Sequence, residues 1–419
     1  MKIKNYLQFN LIEVIASLFI IFSLLPWVNF GTNGRDSQIW PLLFGSLFLL
    51  TTFRKRVPIL FLYPLALPIM GLFGWFFLSD LSATGISAFI AIRGILSYLG
   101  FAVCFVAFMF YLREREFPLK IFMNINIIYI LVGIFQAYID PAVVSGIVAS
   151  RDQTFSNQST LVRGVPSLTP EPTYFAIYLY FISFLYLINF EFNPPKKVQI
   201  LLIVNLLAII FLSRSTMVLL FLLLTIPFLI HRIKLKNLAV ALIFILLSTP
   251  IFIYLFPETR VLLLIDLLFE EPRFIGLLLI DESINDRISH VIFPLQGALL
   301  NDLLPVGFHK WSETYSYLAE YWNGIFWYGS GGSIMSFFGL IVFEFGIFGL
   351  ILLGYLFIKF QDGTYSRFLE TLLLFILMNT SIPPSFPLLA MIFGFYIYSN
   401  YYKVTKTLNI KKMVIKNEL

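Results

Sequence analysis

Three short stretches hold the residues of this chain that can do chemistry. The first runs Arg163-Gly164-Val165-Pro166-Ser167-Leu168-Thr169-Pro170-Glu171-Pro172, and the second is Ser213-Arg214-Ser215, set between two apolar runs. The third begins Asp281-Glu282-Ser283-Ile284-Asn285-Asp286-Arg287-Ile288-Ser289-His290 and resumes at Pro305-Val306-Gly307-Phe308-His309-Lys310-Trp311. An arginine presents a planar fork that grips phosphate oxygens in pairs and keeps its charge when partly desolvated. A carboxylate or imidazole beside it can orient a substrate or take a proton. Glu171 follows a proline-rich approach and opens a helix, where the dipole favours a carboxylate.

Each of these residues also has a structural reading. Glu171 can simply cap its helix, and Arg214 can snorkel to lipid phosphates. Arg93, deeper in an apolar run, can pair with a buried carboxylate such as Glu13. Most charges of the third stretch read as a solvated surface, with Arg287 and His309 the exceptions. A helix over 283–293 would put Arg287 and His290 on one face at i,i+3. Neither His290 nor His309 belongs to an HExxH pattern, and no DxD triplet occurs, so the chain has no metal-site motif and no nucleotide-sugar signature. A single cysteine, Cys104, excludes an intrachain disulfide and a CxxC site.

The elements that must position these residues are set by the bilayer. The chain is 59% hydrophobic and 12% charged, with a mean hydropathy of +0.88, against about 45–50% apolar and about 25% charged in soluble domains. Runs long enough to span, on the order of 20 residues, fall at about 9–29, 38–53, 57–79, 86–112, 119–139, 171–190, 198–213, 215–231, 237–256, 333–358, 366–382 and 385–402. The first lacks a cleavage site and reads as a retained helix. Lys2, Lys4, Arg54 to Arg56, Arg113 to Lys120, Lys196-Lys197, Arg232 to Lys236, Lys359, Arg367 and the 403–416 tail share one side, which the positive-inside rule makes cytoplasmic. The net charge of +6 is therefore a topology signal rather than a mark of nucleic-acid binding.

The other basic residues are Arg35, Arg93, Arg151, Arg163, Arg214, Arg260, Arg273, Arg287 and Lys310, eight of nine being arginine, against six of twenty on the cytoplasmic side. Lysine would serve topology equally, so the external bias points to phosphate recognition, with drift as the plain alternative. Two external segments are long, about 140–170 and about 257–332; apolar pieces within the second, 261–268 and 274–280, are too short to span. The expectation is an all-α polytopic membrane protein of about twelve transmembrane helices, one membrane domain over 1–419, with these two segments forming an external cap.

In order along the chain, Arg163-Gly164, Pro170-Glu171-Pro172, Leu212-Ser213-Arg214-Ser215, Asp286-Arg287, Pro305-Val306-Gly307 and Glu344-Phe345-Gly346-Ile347-Phe348-Gly349 make the chain resemble the Wzy-type O-antigen polymerases of the O-antigen polymerase and ligase superfamily. The resemblance covers about 160–355 and the helix count. The even number of runs and the positive-inside rule put both termini on the cytoplasmic side, and the resemblance implies a type C (GT-C-like) membrane glycosyltransferase of the bacterial inner membrane, polymerising undecaprenyl-diphosphate-linked oligosaccharide at the periplasmic face without cofactor, metal or nucleotide sugar. It further implies that Arg163, Arg214, Arg287, Arg151 and Arg93 handle the lipid diphosphate, and that a flippase and a chain-length regulator are candidate partners. Glu171, then His309 or Glu313, are the candidate general bases. Ligases of the superfamily carry a His-Asn pair where this chain has Ile334-Met335, which favours a polymerase over a ligase, although His309 can substitute. A lipid-linked oligosaccharide flippase is the remaining alternative, and would be expected to show two related halves.

Overall fold

A computed structural model of the 419-residue chain describes residues 2–29, 38–52, 63–78, 88–144, 146–148, 164–229, 232, 274–307, 310–327 and 332–403, with scattered helical positions between 243 and 269. The described residues are helical, without strands. Every apolar run except 237–256, most of which lies outside the described residues, coincides with a helix. Among the described residues, five helices are long and apolar enough to cross a membrane: Ile92–Glu114, Leu119–Tyr138, Pro172–Asn189, Lys196–Ser213 and Phe337–Phe360. Thirteen-residue helices such as Trp40–Thr52 reach only about 20 Å, short of a hydrocarbon core of about 30 Å.

The chain forms two compact units. The first comprises residues 1–55, 107–266 and 387–395. Within it, α1 (Lys2–Leu24) packs on α2 (Trp40–Thr52), with Phe19 stacked on Phe48. Glu13 of α1 is held by Arg115, 2.8 Å away, whose guanidinium also lies over Phe48 and Tyr111. Glu13 thus has a partner other than the Arg93 suggested by sequence. Later in the unit come α5 (Leu119–Tyr138), α6 (Pro172–Asn189), α7 (Lys196–Leu207) and α8 (Thr216–Leu229); α3 (Ala66–Leu78) belongs to the second unit, and α4 (Ala88–Glu114) runs through both. Apolar residues cover α6 on all sides, and all are buried from Tyr174 to Ile182. A helix apolar all round is a core helix or a span.

The second unit comprises residues 56–106, 267–386 and 396–419. Within the segment read as the large external loop, the described residues form α9 (Phe274–Ile280), α10 (Glu282–Leu300) and α11 (Trp311–Tyr321). Asp281 starts α10 by accepting a hydrogen bond from Ile284 N–H, 2.7 Å, an N-cap of the ordinary kind. Leu278, Phe293, Trp311, Tyr315, Leu318, Phe326, Ile334 and Phe343 form the local core. Gly297 and Gly339 bring α10 close to α12 (Phe337–Phe360): a Cβ on Gly297 would lie 2.9 Å from the Phe343 ring, and one on Gly339 3.1 Å from Pro294. The second unit also holds α13 (Tyr365–Leu377), whereas α14 (Pro387–Tyr398) belongs to the first unit up to Phe395.

By length α12 is a span, but it is not one rod. Gly346 has φ 56° and ψ −134°, and a Cβ on Gly349 would fall 2.5 Å from the Ile341 carbonyl oxygen. Residues eight apart in a continuous helix are about 12 Å apart along the axis, so the chain turns back at Gly346. The geometry outweighs the length: 337–345 and 347–360 are two helical segments.

Candidate functional site

In the first unit, the residues that interrupt a helix are the ones the sequence singled out. After α7 the chain widens into a π turn, Ala208–Ser213, and ends at Arg214 in the left-handed conformation, φ 49° and ψ 31°. The Arg214 N–H donates to Ile209 O, five residues back, at 3.1 Å. π turns within helices are frequent at functional sites, and a left-handed residue other than glycine costs on the order of 1–2 kcal/mol. Arg214 is only 9% exposed, and its Nε donates to Phe211 O at 3.2 Å. Burial pushes its pKa down from the ordinary value, and Tyr138 partly offsets this; a guanidinium nevertheless keeps its charge in a protein.

The segment 164–171 lies against this elbow. Val165 N–H donates to Leu212 O at 2.8 Å. Gly164, at φ 84°, is the residue that permits the approach: a Cβ there would sit 2.4 Å from Ser213 O and 2.5 Å from Leu212 O. Gln136 of α5 holds Ser167 from the other side, its Oε1 accepting from Ser167 N–H at 2.6 Å and its Nε2 donating to Ser167 O at 3.3 Å. The Ser167 hydroxyl donates to Tyr129 O, 2.5 Å. The first and second sequence clusters, about fifty residues apart in the chain, are therefore one structure. Arg163, the chain neighbour of Gly164, lies outside the described residues, as do Arg151 and His309.

Glu171 occupies the N-cap position of α6, in extended conformation, but its side chain does not cap the helix. Its carbonyl oxygen does that work, accepting from Tyr174 and Phe175 N–H and from the Thr169 hydroxyl. The Glu171 carboxylate therefore makes no capping hydrogen bond, although it stands at the end of the helix where the dipole favours a negative charge.

In the second unit, Arg287 and His290 share α10, as the helical reading of 283–293 requires, and Arg287 is partly buried. His290 is 1% exposed. Its Nδ1 accepts from Met335 N–H at 3.2 Å, which in a neutral ring leaves the proton on Nε2. Nε2 faces Asp286 Oδ1 at 3.2 Å, although the angle falls short of a hydrogen bond. Trp311 and Tyr315 flank the ring at 5.2 and 5.8 Å. Burial pushes the Tyr315 phenol up, against a hydrogen bond with Ser289 and with the Asp286 charge acting in the same direction as burial. Both His290 nitrogens are thus turned to protein partners, which makes it a residue that ties α10 to the 332–336 segment. Glu313 is exposed on α11, and Arg93 is exposed near the start of α4.

Sequence reasoning treated Glu344 only as part of a motif. Tyr98 Oη donates to Glu344 Oε2 at 2.5 Å, two residues before the break at Gly346. The break is closed by the loop after α10: Val306 N–H donates to Phe343 O at 3.1 Å and Ile347 N–H to Leu303 O at 2.7 Å. Pro305-Val306-Gly307 and Glu344-Phe345-Gly346, separate in sequence, are in contact here. The available signal was a lone carboxylate inside an apolar run of 24 residues, which in a membrane segment is a site by default.

No protein-family model, no curated protein and no solved structure matches this chain.

Proposed function

We propose that the chain is a membrane glycosyltransferase that polymerises undecaprenyl-diphosphate-linked oligosaccharide at the periplasmic face of a bacterial inner membrane, with about twelve spans of the type C arrangement and both termini cytoplasmic. The observation that supports this reading is the hydrogen bond from Val165 to Leu212, which joins the Gly164-Val165 stretch to Leu212-Ser213-Arg214. It sets a buried arginine, held in a strained backbone conformation, in the same unit as a helix-opening carboxylate that does not cap. An acceptor sugar hydroxyl attacks the anomeric carbon, the bond from that carbon to the diphosphate oxygen breaks, and the leaving lipid diphosphate takes the electron pair. Arginines placed in advance stabilise that charge as it forms, and Glu171 takes the hydroxyl proton.

A ligase is the second reading, favoured by His290. The Ile334-Met335 stretch stands where the ligases carry histidine, and the His290 imidazole meets Met335 from α10. The test is the glycan made when the gene is deleted. Single repeat units on the acceptor support the polymerase, glycan missing from the acceptor supports the ligase, and repeat units trapped inside support a flippase. Unchanged glycan overturns all three. Orientation has its own check: with Cys104 replaced, a cysteine at Ser316 should react with an impermeant thiol reagent in whole cells and one at Thr405 should not.

A further inference from the structure

Helix Trp311–Tyr321 has two faces of different chemistry. Trp311, Tyr315 and Leu318 point into the local core and are no more than 7% exposed. Trp322, just past the helix, donates from Nε1 to Gln296 Oε1 of α10 at 2.8 Å. The helix is therefore held fast on one side. Its outer side presents Glu313, Ser316, Tyr317, Glu320 and Tyr321, all exposed, with the two tyrosines at 59% and 62%. Their spacing, i, i+3, i+4, i+7, i+8, is a single stripe.

An outer stripe of two phenols, two carboxylates and a hydroxyl is unusual in what it omits. It has no aliphatic residue and no lysine or arginine; Lys310 precedes the helix. A helix lying in a bilayer surface needs apolar side chains toward the acyl region and basic ones toward lipid phosphates, so this stripe does not suit a lipid surface. It suits a polyol. The C–H face of a pyranose ring stacks on an exposed phenol, and a carboxylate accepts two hydroxyl hydrogen bonds from one sugar. Tyr317 and Tyr321 are about 6 Å apart along the axis, close to the length of one sugar unit in a chain, and tyrosines offer this area at low entropic cost. Glu313 and Glu320 would repel an acidic polymer.

We propose that this stripe is a binding track for an uncharged stretch of saccharide chain, which retains the growing polymer between additions. The inference rests on the polymerase reading and adds to it a product-binding surface that sets chain length. The experiment compares cells carrying the parent protein, the double variant Tyr317→Ala/Tyr321→Ala, the double variant Tyr317→Phe/Tyr321→Phe and a gene deletion, with protein levels matched by immunoblot. The length distribution and the number of chains started are both measured.

The expected result is a shift to short chains with an unchanged number of starts for the alanine pair, and parental lengths for the phenylalanine pair, which keeps the rings. Normal length from the alanine pair overturns the track, as does equal shortening by the phenylalanine pair. Should the alanine pair fail to accumulate, Tyr321→Ser, at the last helical position, carries the same comparison. Purified full-length protein is also titrated with the polymer released from the same cells by mild acid, and with vesicles of anionic phospholipid. Weaker binding to polymer in the alanine pair supports the track; weaker binding to vesicles alone overturns it. A deletion that leaves the polymer intact instead removes the polymerase reading, and is recognised as such because it does not depend on either tyrosine.

Discussion

The two units interrupt their helices in opposite ways. In the first, the chain widens into a π turn and places Arg214, a residue with a long charged side chain, in the left-handed conformation. In the second, Gly346 makes a sharper reversal, and a Cβ there would lie 2.2 Å from Leu303 O and 2.7 Å from the Leu304 carbonyl carbon. Glycine is what packing alone demands at such a point. An arginine at a strained position whose turn would accept glycine more comfortably is a different matter, and a place where a functional role can be tested against a structural one. Sites where a chain departs from its most stable choice are where function is to be sought.

The largest effect that would sharpen this contrast is at the glycine. In Gly346→Ala the added methyl meets the backbone of Leu303, Leu304 and Pro305, with no flexible side chain to give way. The expected loss exceeds about 4 kcal/mol, seen as failure to recover folded protein in detergent by size-exclusion chromatography. A well-folded Gly346→Ala protein would show that the break is not needed. Gly164→Ala should act in the same direction, because Ser213 O and Leu212 O stand in the way.

The next effect separates activity from stability at Arg214. Arg214→Lys keeps the charge and loses the fork. Loss of one charge-assisted hydrogen bond of about 1.5–3 kcal/mol lowers the rate roughly ten- to a hundredfold. Arg214→Gly removes a left-handed penalty of about 1–2 kcal/mol and adds about 0.5–1 kcal/mol of unfolded-state entropy. Thermal stability in detergent should therefore stay within about 1 kcal/mol of the parent while polymer formation is lost. If Arg214→Gly destabilises the protein strongly, Arg214 serves the fold and the contrast with Gly346 disappears.

Hydropathy made the helices legible, since spans need only length and oil, and the order of weak motifs made the elbow legible in part. Val165 pairing with Leu212, and Val306 with Phe343, were not legible, because each depends on a backbone hydrogen bond between segments dozens of residues apart. The break in α12 was hidden for a different reason. Residues 337–360 are apolar on both sides of Gly346, and hydrophobic periodicity does not register one unusual φ and ψ. His290 was visible as a residue but not as a partner of Met335 N–H, whose position depends on how the 332–336 segment meets α10.

The smallest effect distinguishes two carboxylates that look alike in sequence. Glu171 and Asp281 each stand at the N-cap of a helix in extended conformation. Asp281 accepts the Ile284 N–H at 2.7 Å, whereas the Glu171 side chain makes no capping hydrogen bond. Asp281→Ala should therefore cost about 0.5–2 kcal/mol of stability, and polymer made per folded molecule should be unchanged. Glu171→Gln leaves its carbonyl cap in place, so its stability should shift by less than about 0.5 kcal/mol, yet polymerisation should nearly stop, because an amide cannot take the proton of the attacking hydroxyl. Thermal unfolding in detergent and glycan length, measured on the same two variants, give a crossed pattern: one falls in stability alone, the other in activity alone. Normal polymer from well-expressed Glu171→Gln would remove Glu171 as the base and leave Arg214 as the charged residue on which the elbow depends.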